Sequence, residues 1–119
     1  MIERRLAKRA ICTTSALITF NKIEILGNVE NLSLDGMYLR AENQFDTYQN
    51  VDIKISYHGE DKDLSVLVKG VVSRRDEAGM GIQFKEMTMQ SFKIVKDIVK
   101  RHHDNPEEIE KEMIKYMVK

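Results

Sequence analysis

The sequence predicts a mainly β fold, a six-stranded antiparallel barrel followed by one or two C-terminal α-helices. Three observations predict it. From residue 10 to residue 85 the dominant hydrophobic period is two. Short polar turn segments cut that stretch into six runs, each with one apolar face. Past Phe84 the period changes to helical spacing. Six short strands with one apolar face each, linked mostly by short turns, bury those faces together by closing on themselves.

In the first run Ala10, Cys12, Ala16, Ile18 and Phe20 alternate with Thr13, Ser15 and Thr19. In the second, Ile23, Ile25 and Val29 alternate with Glu24, Asn28 and Glu30, and "NK" at 21 and 22 joins the two as a tight hairpin. Met37, Leu39 and Ala41 make a short third strand. The fourth alternates most cleanly, with Val51, Ile53, Ile55 and Tyr57 inward and Asp52, Lys54, Ser56 and His58 outward. "HGEDKD" (58–63) turns the chain into Leu64, Val66, Val68 and Val72, and "DEAG" (76–79) turns it again into Met80, Ile82 and Phe84. The helical stretch carries Phe92, Val95 and Val99 with Ile94 and Ile98 beside them, and Asp97 and Arg101 form an i,i+4 pair. "HHDNPEE" breaks that helix. Asn105 as N-cap, Pro106 at the first helical position and Glu108 at the third start a second helix, with a stripe of Ile109, Met113, Tyr116 and Met117. The organisation expected is an arm at 1–9, a barrel at 10–86 and a helical extension of the same domain at 87–119.

A chain of 119 residues is long enough to bury about two thirds of its unfolded surface, so one core suffices. Nineteen Lys and Arg balance nineteen Asp and Glu, so no overall basic field draws the protein to nucleic acid or an anionic membrane. Any attraction for anions is local. Cys12 is the single cysteine and has no internal disulfide partner, which fits a reducing, cytoplasmic setting. The basic start followed by "AICTTSALITF" imitates a secretory signal, but Thr13, Thr14 and Ser15 interrupt the apolar run and no small-x-small site follows. Nowhere do eighteen apolar residues run together, so no membrane span is expected.

The sequence carries no Gly-rich phosphate loop, HExxH, GxSxG or CxxC, and no catalytic activity is expected. His102 and His103 are adjacent, diverge by about 100° on a helix and are expected to face solvent rather than to hold a metal. Two features stand out. "RRLAKR" (4–9) places Arg5 and Arg9 four apart, flanked by Arg4 and Lys8, with Glu3 as the only opposing charge nearby. A guanidinium fork grips a phosphate or the O6/N7 edge of guanine bidentately and stacks on base faces. Taken alone, the run also fits a solvated basic tail. "NLSLDG" (31–36) sets Asn31, Ser33 and Gly36 between the second and third strands. Taken alone, these are turn formers, with Gly36 supplying unusual dihedrals or close approach.

Together with a late "GMGIQF" (79–84), the RxxxR and N-x-S-x-x-G motifs resemble the PilZ domain family, bacterial β-barrels that bind the second messenger cyclic di-GMP. The resemblance covers about residues 4–86 and implies a PilZ-type barrel. It places Arg5 and Arg9 on the phosphates and guanine edges of the ligand, with Asn31, Ser33 and Gly36 lining the other side. The family also admits Asp at the place of Asn31. A carboxylate offers guanine two acceptor oxygens where Asn offers one acceptor and a donor group, which implies a somewhat lower affinity here. Arg4, immediately before the motif, is implied to be of the type that lets a stacked pair of ligands bind. The arm would order as it closes on the dinucleotide.

The function expected is therefore a cytosolic receptor for cyclic di-GMP, with no cofactor, that signals to a downstream protein partner by conformational change. A degenerate module acting only as a protein adaptor is the alternative within the same fold, although adaptors of this type lose the arginines that this chain retains. A nucleic-acid-binding barrel is a third reading. With only four Tyr and four Phe, and with Phe20, Tyr57 and Phe84 on expected core faces, the chain is poor in stacking platforms for it. The C-terminal helices read either as packed on their own domain or as a homodimer contact.

Overall fold

A computed structural model describes residues 13–60 and 62–102. Six strands, β1 (Thr13–Phe20), β2 (Ile23–Leu32), β3 (Gly36–Arg40), β4 (Asn50–His58), β5 (Asp63–Arg75) and β6 (Gly79–Glu86), precede one described helix, α1 (Met89–His102). Every strand pairing is antiparallel. The order β1-β2-β3-β6-β5-β4 closes on itself, so the barrel leaves no free edge. Ala10 and Cys12, expected at the start of the first strand, lie outside the described residues, as does the expected second helix.

Alternation does what the pattern requires. Ala16 and Ile18 of β1, Val51, Ile53, Ile55 and Tyr57 of β4, and Val66, Val68 and Val72 of β5 all point inward and are buried. They meet Leu39 of β3 and Met80 and Ile82 of β6, also buried. Each large aliphatic side chain so placed contributes about 1.5–3 kcal/mol. The hairpin at residues 21 and 22 forms as expected. Asn21 (φ 51°) and Lys22 (φ 69°) both take the left-handed region, the backbone twist that suits a two-residue connection between right-twisted strands.

Two expected core residues are corrected by the structure. Phe20 is 39% exposed and Ile23 is 56% exposed. Their parity is inward, but they flank the hairpin at an open end of the barrel, where an inward direction no longer means burial. Phe20 instead meets Phe45 edge-on, with ring centroids 6.1 Å apart. Phe45 belongs to the β3–β4 connection, is buried, and directs its backbone N–H to the Met80 sulfur at 3.3 Å.

Helix α1 lies across the opposite end, where β1 begins, β2 finishes and β4 turns into β5. Thr88 caps it, its hydroxyl oxygen accepting from the Ser91 N–H at 3.0 Å. Lys100, Arg101 and His102 occupy the last turn, where positive charge suits the helix dipole. The Asp97–Arg101 pair forms at 2.9 Å. The buried stripe centres on Val95 and Ile98, both at 0% exposure; Phe92, Ile94 and Val99 flank it half-buried. His102 does not face solvent as expected. Its ring is half-buried, with Nδ1 3.0 Å from the Thr14 hydroxyl and Nε2 3.1 Å from the Glu30 carbonyl, so it ties α1 to the start of β1 and the end of β2.

Candidate functional site

The site is assembled on the outer wall of the barrel by an irregularity in β2. Pairing with β3 steps from Val29–Leu39 to Asn31–Tyr38, so Glu30 is an extra, unpaired residue. A bulge of this kind shifts the in–out parity by one. Val29 and Leu32 both point inward as a result, and Asn31 stands on the outside. Beyond it, "NLSLDG" makes a tight turn. The Ser33 N–H donates to the Gly36 carbonyl at 2.9 Å, and the Ser33 hydroxyl lies 2.7 Å from Asp35 Oδ1. The Phe84 N–H donates to the Asp35 carbonyl at 2.9 Å, which docks the turn on β6. Gly36 is there for close approach alone. Its φ is not positive, and a Cβ at this place would stand 2.6 Å from the Ile82 carbonyl oxygen. Of the two roles the sequence offers for Gly36, unusual dihedrals or close approach, the structure shows close approach.

Because β3 and β6 pair out of sequence order, the turn is brought beside a strand from elsewhere in the chain. Asn31, Tyr38, Gly81 and Arg74 stand in register across β2, β3, β6 and β5. A second bulge, at Ser73, sets Arg74 on this wall, and the Ser73 hydroxyl donates to the Gly81 carbonyl at 3.0 Å. Gly81 leaves the space that Arg74 crosses: a Cβ there would lie 2.9 Å from Arg74 Cγ. The Arg74 guanidinium carbon lies 5.4 Å from the centroid of the Tyr38 ring, within range of a cation–π contact. The Tyr38 hydroxyl donates to Asp76 Oδ1 at 2.6 Å. That bond and the Ala78 and Gly79 N–H groups hold the Asp76 carboxyl below its ordinary value. The same bond, chiefly, holds the Tyr38 phenol above its own.

The result is an open groove of about 470 Å³ that brings Asn31, Ser33 and Gly36 together with Tyr38, Arg74 and Gln83, with Val99 of α1 at its edge. Arg4, Arg5 and Arg9 lie outside the described residues. Their point of attachment is described: Thr13 opens β1, and Thr14 is linked through His102 to Glu30, the neighbour of Asn31. Tyr38 and Arg74 escaped the sequence reading. The signal that points to them is the pair of alternate glycines in "GMGIQF", which leaves β6 without side chains on its outer face beside them.

A family model of the PilZ domain matches residues 3–101. The chain belongs to the PilZ domain family. PilZ domains form a family of cyclic di-GMP receptors, ligand-binding proteins rather than enzymes. The match takes in the basic arm, the barrel and nearly all of α1, so this helix is part of the PilZ unit. No curated protein sequence matches the chain. No helix among the described residues is long and apolar enough to cross a membrane, and no group of three His, Cys, Asp or Glu among them is arranged to hold a metal.

Proposed function

We propose that this PilZ protein binds cyclic di-GMP on the outer wall of its barrel, between the arginine-rich arm and the Asn31–Ser33–Gly36 turn. One observation carries the reading: the three motif residues line a single groove whose far side presents a guanidinium held over an aromatic ring. The ligand is a ring with two phosphates and two guanines. Its phosphates and Hoogsteen edges call for arginine, and its Watson–Crick edges offer donors that a carbonyl oxygen accepts. Asn31 supplies such an acceptor, and Arg74, over the Tyr38 ring, offers a guanidinium on which a base stacks.

Extended chain from Arg9 to Thr13 covers about 13 Å, enough to bring the Arg9 fork from the start of β1 to the neighbourhood of Asn31. Arg5, one further helical turn or four extended residues away, grips the same compact dianion from its other side. Arg4 supplies the extra fork that a stacked pair of ligands requires. Closing the arm beside Thr14 and His102 passes the event to α1, the element through which a protein partner would sense it.

Titration calorimetry with cyclic di-GMP tests the reading. Arg5→Ala or Arg9→Ala is expected to weaken binding about 5- to 150-fold, the equivalent of about 1–3 kcal/mol for each fork. No heat of binding at tens of micromolar (on the order of the method's working range), or unchanged affinity once both arginines are removed, overturns it.

A further inference from the structure

The wall on the other side of the barrel has no part in this site and has a different surface. Leu26, Leu17, Lys54 and Leu67 stand in register across β2, β1, β4 and β5. Leu26 and Leu67 are each 69% exposed. A groove of about 690 Å³, the larger of the two, runs along this row between Leu17, Lys54 and Leu67 and ends against Met87 and Ser91. The neighbouring rows are polar: Asn28, Ser15, Ser56 and Ser65 on one side, Glu24, Thr19, Asp52 and Lys69 on the other.

We propose that this row is the bed on which the chain's own C-terminal segment, residues 105–119, lays its apolar stripe. Four observations select that occupant. The described chain ends at His102, held against Thr14 and Glu30 on the two strands that carry Leu17 and Leu26. From there Leu17 is about 10 Å along β1 and Leu26 about 13 Å along β2, a gap of the size that residues 103–105 cover with about 10 Å of extended chain and a side chain's reach. The dimensions agree as well: three interstrand spacings make the leucine row about 14 Å long, and on a helix Ile109 to Met117 span about 12 Å.

The width of the bed argues in the same direction. One apolar row between polar ones accepts a single helical stripe, whereas a stable dimer buries on the order of 1,000 Å² or more. Charge completes the match. Lys54, in the middle of the row, has no carboxylate within ion-pair range among the described residues, and the segment brings Glu107, Glu108, Glu110 and Glu112. A helix lying there with Ile109, Met113 and Met117 inward sets its acidic first half beside that ammonium.

Hydrogen exchange followed by mass spectrometry on the full chain, with sedimentation to report its association state, decides the matter. The expected result is a monomer whose amides across 109–117 exchange at least about tenfold more slowly than free peptide. Met113→Asp, which changes nothing in the barrel, is expected to abolish that protection. Leu26→Asp combined with Leu67→Asp, both at exposed positions, is expected to do the same while the barrel amides keep theirs. Free-peptide rates across 109–117 in the unaltered protein overturn the proposal, as does protection that survives both variants. Protection that vanishes on dilution together with a dimer overturns it in favour of a second copy. None of these outcomes depends on cyclic di-GMP, so the proposal and the receptor reading fail separately.

Discussion

The barrel has two outer walls, and they differ in what the sequence leaves out. On the wall of β2, β3 and β6 it leaves out side chains: Gly36 and Gly81 let neighbouring groups approach as no other residue does, and Asn31, Tyr38 and Arg74 are displayed around the space that results. On the wall of β1 and β4 it sets Leu26, Leu17 and Leu67 in one row with Lys54, between rows made of Asn, Ser, Glu, Thr, Asp and Lys. Both walls enclose the same core. Inward residues specify the barrel, while the outward ones give each wall its own surface: open space lined by polar groups where Cβ atoms are missing, an apolar row where leucines stand beside Lys54.

The largest test of that division is Gly36→Ala. The new Cβ would stand 2.6 Å from the Ile82 carbonyl, a backbone atom that moves only if β3 shifts on β6. The expected cost is about 1–3 kcal/mol, with a lower denaturant midpoint and an unchanged slope. Ser65→Ala, exposed on the leucine wall, is expected to change stability by no more than about 0.5 kcal/mol. Equal effects at the two positions would mean that the glycine wall is not held by close backbone approach.

Next in size is a pair of changes that leave the backbone alone. At Gly81 an added Cβ meets only the Arg74 side chain, at 2.9 Å from Cγ, and that chain can swing away. Gly81→Ala is therefore expected to keep the fold and displace Arg74 from Tyr38. Arg74→Ala is expected to weaken cyclic di-GMP about tenfold. Comparable weakening in Gly81→Ala, read by the same titration, would place the effect in the position of Arg74 rather than in its charge alone. An affinity indifferent to both would remove Arg74 from the site.

How much of this was legible in the sequence follows from the range of the physics involved. Alternation is local, so Ile53, Ile55, Val66 and Ile82 could be assigned to the core from their neighbours alone. It fails at Phe20 and Ile23, because parity gives direction and says nothing about where a barrel ends. Bulges at Glu30 and Ser73 are defined by pairing with the partner strand, which lies elsewhere in the sequence. The motif at Asn31, Ser33 and Gly36 was legible because one turn holds all three. Tyr38 and Arg74 were not, since only the out-of-order pairing of β3, β6 and β5 sets them together. His102 was misread for the same reason: its partners Thr14 and Glu30 lie at the far end of the chain.

The smallest expected effect concerns the post that holds Tyr38 in place. Asp76 accepts from the Tyr38 hydroxyl at 2.6 Å and from the Ala78 and Gly79 N–H groups at 2.9 and 3.0 Å. These bonds favour the carboxylate and lower its pKa from the ordinary 3.8. A carboxyl lowered on folding adds stability at pH values above its unfolded pKa, and that contribution is lost as pH falls through the folded one. The gain over Asp76→Asn is thus complete at pH 6 and gone well below 3.8. Asn keeps one acceptor oxygen and loses the charge, so it isolates the electrostatic part of the post. Urea midpoints for the two proteins should differ at pH 6 and converge toward pH 2. Midpoints that stay equally far apart across the acid range would mean that the carboxylate does not anchor the ring on which Arg74 lies.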